Sequence, residues 1–116
     1  MYISVIIPAY NEEKTIGGVI ESLVRQTRRP DEILIINNNS TDNTKQIALT
    51  YQSKGVRVID ETEQGLAVAR DRGFREAQGD IVCRTDADSI IPPHWISSIE
   101  LFFTNNPQTI ALSGPI

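Results

Sequence analysis

At 116 residues with a formal net charge of −4, the chain is long enough for one compact domain with a real core and too short for two. Its 40% hydrophobic and 22% charged residues suit a globular protein, and the acidic balance argues against a nucleic-acid surface, which relies on clustered Lys and Arg. No apolar run approaches the ~18 residues needed to cross a bilayer, and the N-terminus lacks the basic leader of a signal peptide.

Strand-like and helix-like segments alternate from end to end. Ile3 to Ile7 is a continuous β-branched run stopped by Pro8, as expected of a strand covered on both faces. Ile16, Val19, Ile20, Leu23 and Val24 repeat at helical spacing, with Asn11 as the expected cap and Glu12 and Glu13 at the positive end. Pro30 precedes a second apolar strand, Ile33 to Ile36. Ser40-Thr41-Asp42 reads as the cap of a helix carrying Ile47, Ala48 and Tyr51 on one face, ended by Lys54-Gly55. Val56 to Ile59 is the third strand. Leu66, Ala69, Gly73, Phe74 and Ala77 mark a third helix whose small residues point to close packing on a sheet, with Gly79 as its stop.

Ile81 to Thr85 is the fourth strand. Its Cys83 is the only cysteine, which excludes an internal disulfide and fits a buried, inert thiol in a reducing, cytoplasmic setting. Pro92-Pro93 opens a fourth helix with Trp95, Ile96, Ile99, Phe102 and Phe103 on its buried face, and Ile110 to Leu112 is a candidate fifth strand. The order implies a Rossmann-like α/β domain: a mostly parallel sheet with helices on both faces. A sheet edge left open would also invite pairing into a homodimer.

The fourth strand ends in Asp86-Ala87-Asp88. Two carboxylates two residues apart repel each other, and at a strand end they point the same way. Hard oxygen ligands of this kind, completed by phosphate oxygens, are what Mg²⁺ or Mn²⁺ requires. The plain alternative is a solvated acidic turn. Ligands of parallel α/β sheets bind outside the carboxyl ends of the strands. Three strands end in polar, turn-rich sequence: Pro8-Ala9-Tyr10-Asn11-Glu12, Asn37-Asn38-Asn39-Ser40 and Asp86-Ala87-Asp88. Their convergence on one rim favours a site over a turn.

Together these segments resemble the inverting family 2 glycosyltransferases with the GT-A fold. The resemblance rests on Val5 through Glu13, Ile36 through Asp42, Gly65 through Arg70, and Thr85-Asp86-Ala87-Asp88, in that order. It implies a nucleotide-diphosphate-sugar donor, a divalent Mn²⁺ or Mg²⁺, and transfer of the sugar to an acceptor hydroxyl with inversion. The acceptor, a saccharide or a lipid-linked molecule, is not readable; the expected location is cytoplasmic, with the inner face of the membrane as the alternative for the full-length protein. Carried over by position, Pro8, Ala9, Tyr10 and Glu12 flank the base and ribose, Tyr10 offering a stacking face and Glu12 an acceptor for hydroxyls. Arg70 approaches the base or diphosphate, its alternative being an ion pair with Asp71 or Glu76. Asp86 holds ribose or metal-bound water, and Asp88 ligates the metal directly.

Two departures stand out. The family usually carries aspartates where this chain has Asn37 and Asn38, so Asn38 is expected to read a base edge without the usual preference for uracil. Arg84 is a cation in what reads as a central strand, implying either a structural ion pair with Asp86 or contact with the donor diphosphate. The family's catalytic base follows the acidic triplet in the acceptor-binding half, so the base is expected outside a chain truncated before that half; His94 reads as a rim residue. Two rivals remain: a dehydrogenase-type dinucleotide domain, which lacks its glycine fingerprint after the first strand, and a non-catalytic nucleotide-binding or interaction module.

Overall fold

The computed structural model describes residues 1–108. Strands and helices alternate as β1 (Ile3–Ala9), α1 (Ile16–Val24), β2 (Glu32–Asn37), α2 (Thr44–Leu49), β3 (Val56–Asp60), α3 (Leu66–Glu76), β4 (Ile81–Arg84) and α4 (Trp95–Asn105), with a 3-10 turn at Gln52–Lys54 after α2. The strands form one parallel sheet in the order β3-β2-β1-β4. The expected strand at Ile110 to Leu112 lies outside the described residues.

Every residue of β1 and β2 is buried, because these central strands are covered on both faces. The two-residue period of a strand sorts their side chains. Ile3, Val5, Ile7 and Ala9 of β1 join Ile33 and Ile35 of β2 against Ile16, Val19, Ile20 and Leu23 of α1, Ala48 of α2, and Ile96 and Ile99 of α4. Ile6, Leu34 and Ile36 point the other way, against Ala69 of α3. A Cβ built on Gly73 would lie 3.0 Å from Ile6 Cδ1, so the small face of α3 is what lets the helix sit down on the sheet. Leu66 and Phe74, expected on that face, are instead 56% and 49% exposed. They flank the Ala69–Gly73 line on one side, at helical angles the narrow contact does not reach.

Several boundaries differ from the sequence reading. Pro8 does not stop β1 but pairs with Ile36 inside it. The Ile6 carbonyl accepts from Thr85 N on the β4 side, while the Ala9 carbonyl accepts from Asn38 N on the β2 side. By alternation Pro8 faces β4, whose pairing with β1 ends at the Ile6–Arg84 step, so no partner there needs the N–H that proline lacks. Asn11 does not cap α1; it takes a positive φ of 53°, and Thr15 precedes the helix. Asp42, by contrast, does accept from Thr44 N at 3.0 Å at the start of α2.

Gly79 is not a left-handed stop: a Cβ there would meet Ser4 Oγ at 2.5 Å and Ser4 N at 2.9 Å, so close approach to β1 requires the glycine. On α4, Ile96 and Ile99 are buried and Trp95 and Phe103 pack against the same core, whereas Phe102 stacks edge-on against Phe103 at 5.5 Å between centroids.

At the end of the sheet opposite the polar rim, Arg28 is a hub. It donates to Glu100 of α4 (3.0 Å), Asp31 (3.1 Å) and the carbonyls of Met1 (2.7 Å) and Arg29 (2.6 Å). Asp31 in turn accepts from Ile3 N at 2.7 Å. Burial pushes the Asp31 carboxyl up, but the Ile3 N–H and the Arg28 guanidinium outweigh it and hold it below the usual carboxylate range. Nearby, the buried Glu32 carboxylate accepts from Ser4 Oγ and Gln78 N, both at 2.7 Å.

Candidate functional site

All four strands run parallel, so their carboxyl ends share one rim, and the loops after β1, β2 and β4 meet there. The first two loops are stitched together. Asn11 N donates to Ser40 Oγ (3.0 Å) and Thr41 N to Asn11 Oδ1 (2.7 Å). Glu12 N donates to Thr44 Oγ1 (2.8 Å), Glu13 N to Asp42 Oδ2 (3.2 Å), and Asn43 N returns to Glu13 Oε2 (2.9 Å). Burial raises the Asp42 carboxyl, but its bonds from Thr44 and the Glu13 N–H dominate and lower it. Asn11 thus serves as the buckle of the rim, a role its caps-and-turns chemistry permits because asparagine tolerates positive φ.

Within this frame Pro8 and Ala9 are buried at the floor, and Tyr10 stands 50% exposed above them with its ring available for stacking. Glu12 is half-buried and accepts from Thr15 Oγ1 at 3.1 Å. After β4, Ala87 is buried in the core on the α1 and α4 side, while Asp86 and Asp88 on either side of it are exposed. The Ser89 N–H closes this turn on the Asp86 carbonyl at 3.2 Å. A buried small residue between two exposed carboxylates pins the acidic turn that follows β4 at the carboxyl end of the sheet. Among the described residues no cluster of three or more His, Cys, Asp or Glu forms a cage for a metal. Two carboxylates suit a cation that keeps waters and phosphate oxygens in its shell.

Arg84 is exposed, not buried, and among the described residues it forms no ion pair with Asp86. The reason is topological: β4 is at the edge of the described sheet, and α3 covers β1 and β2 instead. Arg70 is likewise not paired with Asp71 or Glu76. Asp71 binds Arg75 at 2.9 Å, and Glu76 binds Arg72 at 3.2 Å. Among the described residues the buried Nε of Arg70 has no hydrogen-bond partner. At 100° per residue, Arg72, which reaches Glu61 beyond β3 (3.4 Å), and Arg70 project from opposite flanks of the Ala69–Gly73 line. Arg70 therefore lies on the flank of α3 turned toward β4, the strand that delivers Asp86.

Asn37 and Asn38 are both buried, at 7% and 3% exposure, and both amides are engaged within the chain. Asn37 Nδ2 donates to Asp60 Oδ1 at 2.9 Å. Asn38 Nδ2 donates to the carbonyls of Glu61 (3.0 Å) and Glu63 (2.8 Å), and its Oδ1 accepts from Gly65 N (2.9 Å). Both amide hydrogens of Asn38 are engaged inside the chain, which leaves a base edge at most one lone pair of Oδ1. Sequence reasoning also passed over the acids of the β3 end. Asp60 is paired with Lys45 at 2.7 Å, and the ammonium, with the Asn37 amide, holds it below the usual carboxylate range. Glu61 is lowered too, first by the Glu63 N–H and, against burial, by Arg72. The signal for these acids was the Asp60-Glu61 pair directly after the third apolar run.

The fold and rim define a Rossmann-like α/β domain of the nucleotide-binding kind. The family model of glycosyl transferase family 2 matches residues 4–116, and the chain belongs to that family. It is 42% identical over 93 residues to the uncharacterized glycosyltransferase YibD of Escherichia coli, covering 78% of this chain and 27% of that protein. Residues of Staphylococcus aureus TarS 1–349 in complex with UDP superpose with a TM-score of 0.84 at 30% identity, over 90% of this chain and 32% of that one. The mannosyltransferase PcManGT of Pyrobaculum calidifontis, in complex with GDP-Man and Mn²⁺, matches at a TM-score of 0.68 and 33% identity, over 78% of this chain and 28% of that one. The chain thus spans about a third or less of the length of each of these relatives. No helix among the described residues is long and apolar enough to cross a membrane.

Proposed function

We propose that this chain forms the donor-binding part of an inverting glycosyltransferase that takes a nucleotide-diphosphate sugar and passes the sugar to an acceptor hydroxyl. The observation that carries the reading is the pinned acidic turn: Asp86 and Asp88 outward, Ala87 buried between them, on the rim where β1 and β2 also end. Tyr10 would stack on the base over the floor made by Pro8 and Ala9, and Glu12 would accept from ribose hydroxyls. Asp88, with Asp86 beside it, would hold Mn²⁺ or Mg²⁺ against the diphosphate. When bound, that ion supplies Lewis-acid stabilisation to the departing nucleoside diphosphate.

Arg70 and Arg84, which have no acid partner among the described residues, add cationic groups on the same side of the sheet, suited to the diphosphate's charge. Such local charge explains how an acidic chain accommodates an anionic donor. The acidic group that takes the acceptor's proton is assigned to sequence beyond residue 116, a reading supported by relatives roughly three times as long.

Titrating UDP, GDP, CDP and dTDP by calorimetry, with and without Mn²⁺, tests the proposal. Binding of at least one diphosphate that requires the metal is expected. Absence of any binding, or binding indifferent to Mn²⁺, refutes it. The relatives hold UDP in one case and GDP-Man in another, which is why the panel spans several bases.

A further inference from the structure

A carboxylate at position 38 could not do what Asn38 does in this chain. Its amide nitrogen lies between two carbonyl oxygens, those of Glu61 and Glu63, while its oxygen faces the Gly65 N–H. The orientation is self-consistent, since the flipped amide would set oxygen against two oxygens and N–H against N–H. An aspartate would accept from Gly65 but repel both carbonyls.

The segment held in this way, 61–65, is the hinge through which β3 hands the chain to α3. It receives further ties from the same tip of β2: Glu61 N donates to the Asn37 carbonyl (3.0 Å) and Asn39 Nδ2 to the Thr62 carbonyl (2.7 Å). Gly65 stands at its end with φ 142° and ψ 140°, a backbone state that favours glycine, and its carbonyl accepts from Ala69 N at 3.0 Å in the first turn of α3. Arg70 is the next residue. The tip of β2 therefore sets the start of the helix that carries Arg70, whose Nε has no partner among the described residues.

We infer that Asn38 is a positioning residue for Arg70: its amide fixes the 61–65 turn, and through it the place at which Arg70 meets the donor, without reading the base. The inference rests on the proposed contact between Arg70 and the donor. It gives the Asn-for-Asp departure at this position a cause, since an amide is the side chain that can donate twice and accept once in this geometry.

The experiment is a double-mutant cycle read by calorimetry, with UDP, GDP, CDP and dTDP in the presence of Mn²⁺ as probes. Asn38→Asp, which leaves two buried carbonyls facing a carboxylate, is expected to weaken every binding diphosphate about tenfold and leave their ranking unchanged. In an Arg70→Ala background the same change is expected to have little further effect. Gly65→Ala strains the same turn from its other end and serves as the second variant if Asn38→Asp fails to fold; it should reproduce the uniform loss and the non-additivity. A changed ranking among the bases overturns the inference, because it makes Asn38 a base reader. Full additivity with Arg70→Ala overturns it as well, because Asn38 then acts by another route. Unchanged affinity in Arg70→Ala alone refutes the contact between Arg70 and the donor, and the positioning role with it.

Discussion

Gly73→Ala sets helix propensity against packing, and the structure decides the sign. In an exposed helix the change would stabilise by about 1 kcal/mol. Here the added Cβ would stand 3.0 Å from Ile6 Cδ1, 3.1 Å from Ile6 Cβ and 3.2 Å from Ile6 Cγ2, where ordinary carbon contacts are about 3.5–4.0 Å. Rotating Cδ1 away from the new methyl relieves one contact but takes it out of its packed position in a closely filled core. Of the other two, Cβ is fixed by β1, which is paired on both sides by β2 and β4, and Cγ2 moves only with the stiff χ1 of a β-branched side chain that is 0% exposed.

The helix must therefore lift by about half an ångström, and overpacking of this kind costs about 1–3 kcal/mol. The net expectation is a loss of about 1 kcal/mol, read in urea titrations as a lowered midpoint with an unchanged slope. Ile6→Val removes the Cδ1 contact. It should cost about 1 kcal/mol alone but clearly less in the Gly73→Ala background. A Gly73→Ala protein as stable as the parent, or strict additivity with Ile6→Val, would show that α3 does not sit on Ile6 as closely as described.

Asp88→Ala should abolish the Mn²⁺-dependent binding of whichever nucleoside diphosphate the parent takes, while leaving the urea midpoint of the metal-free protein within about 0.5 kcal/mol of the parent, because the side chain is exposed; calorimetry and urea titration read the two effects separately. Arg28→Ala removes charge-assisted bonds to Glu100 and Asp31 and to two carbonyls, and a loss of about 2 kcal/mol is expected from the urea midpoint; an unchanged midpoint would refute the hub. Asp31, Asp60 and Glu61 titrate below their unfolded values, so their contribution is complete above the usual carboxylate range and is lost as pH falls through the lowered folded values. Thermal midpoints should accordingly be flat from pH 8 to about pH 5 and drop below about pH 4. Burial pushes the Cys83 thiol up to about 11, so alkylation at pH 8 should be slow in the native protein and fast in urea.

Much of the fold is readable along the chain because its signals are local and periodic. The β-branched runs of β1 and β2 announce strands buried on both faces, and the Ile16–Leu23 spacing announces α1. Ala69 and Gly73 announce a helix that lies close to a sheet. The acidic triplet and the polar strand ends locate the rim for the same reason: in a parallel α/β order, carboxyl ends must gather on one side.

What the sequence could not settle depends on neighbours distant along the chain. Pro8 reads as a stop, yet it sits within β1 because β4 ends before reaching it. Arg84 reads as a buried charge in a central strand, yet it is exposed because its strand is at the edge of the described sheet. Arg70 reads as having acids within reach in Asp71 and Glu76, but Arg75 and Arg72 claim them and leave its Nε without a partner among the described residues.

Asn38 is the clearest case. Composition and position present an amide on a rim, free to read a base. Only the folded chain brings the Glu61 and Glu63 carbonyls and the Gly65 N–H around it, residues more than twenty positions away. Side-chain type and periodicity determined that this protein is a Rossmann-like domain with a carboxylate rim. Which polar groups on that rim are free for a ligand was decided by tertiary structure, because a buried donor or acceptor takes the partner that the fold sets beside it.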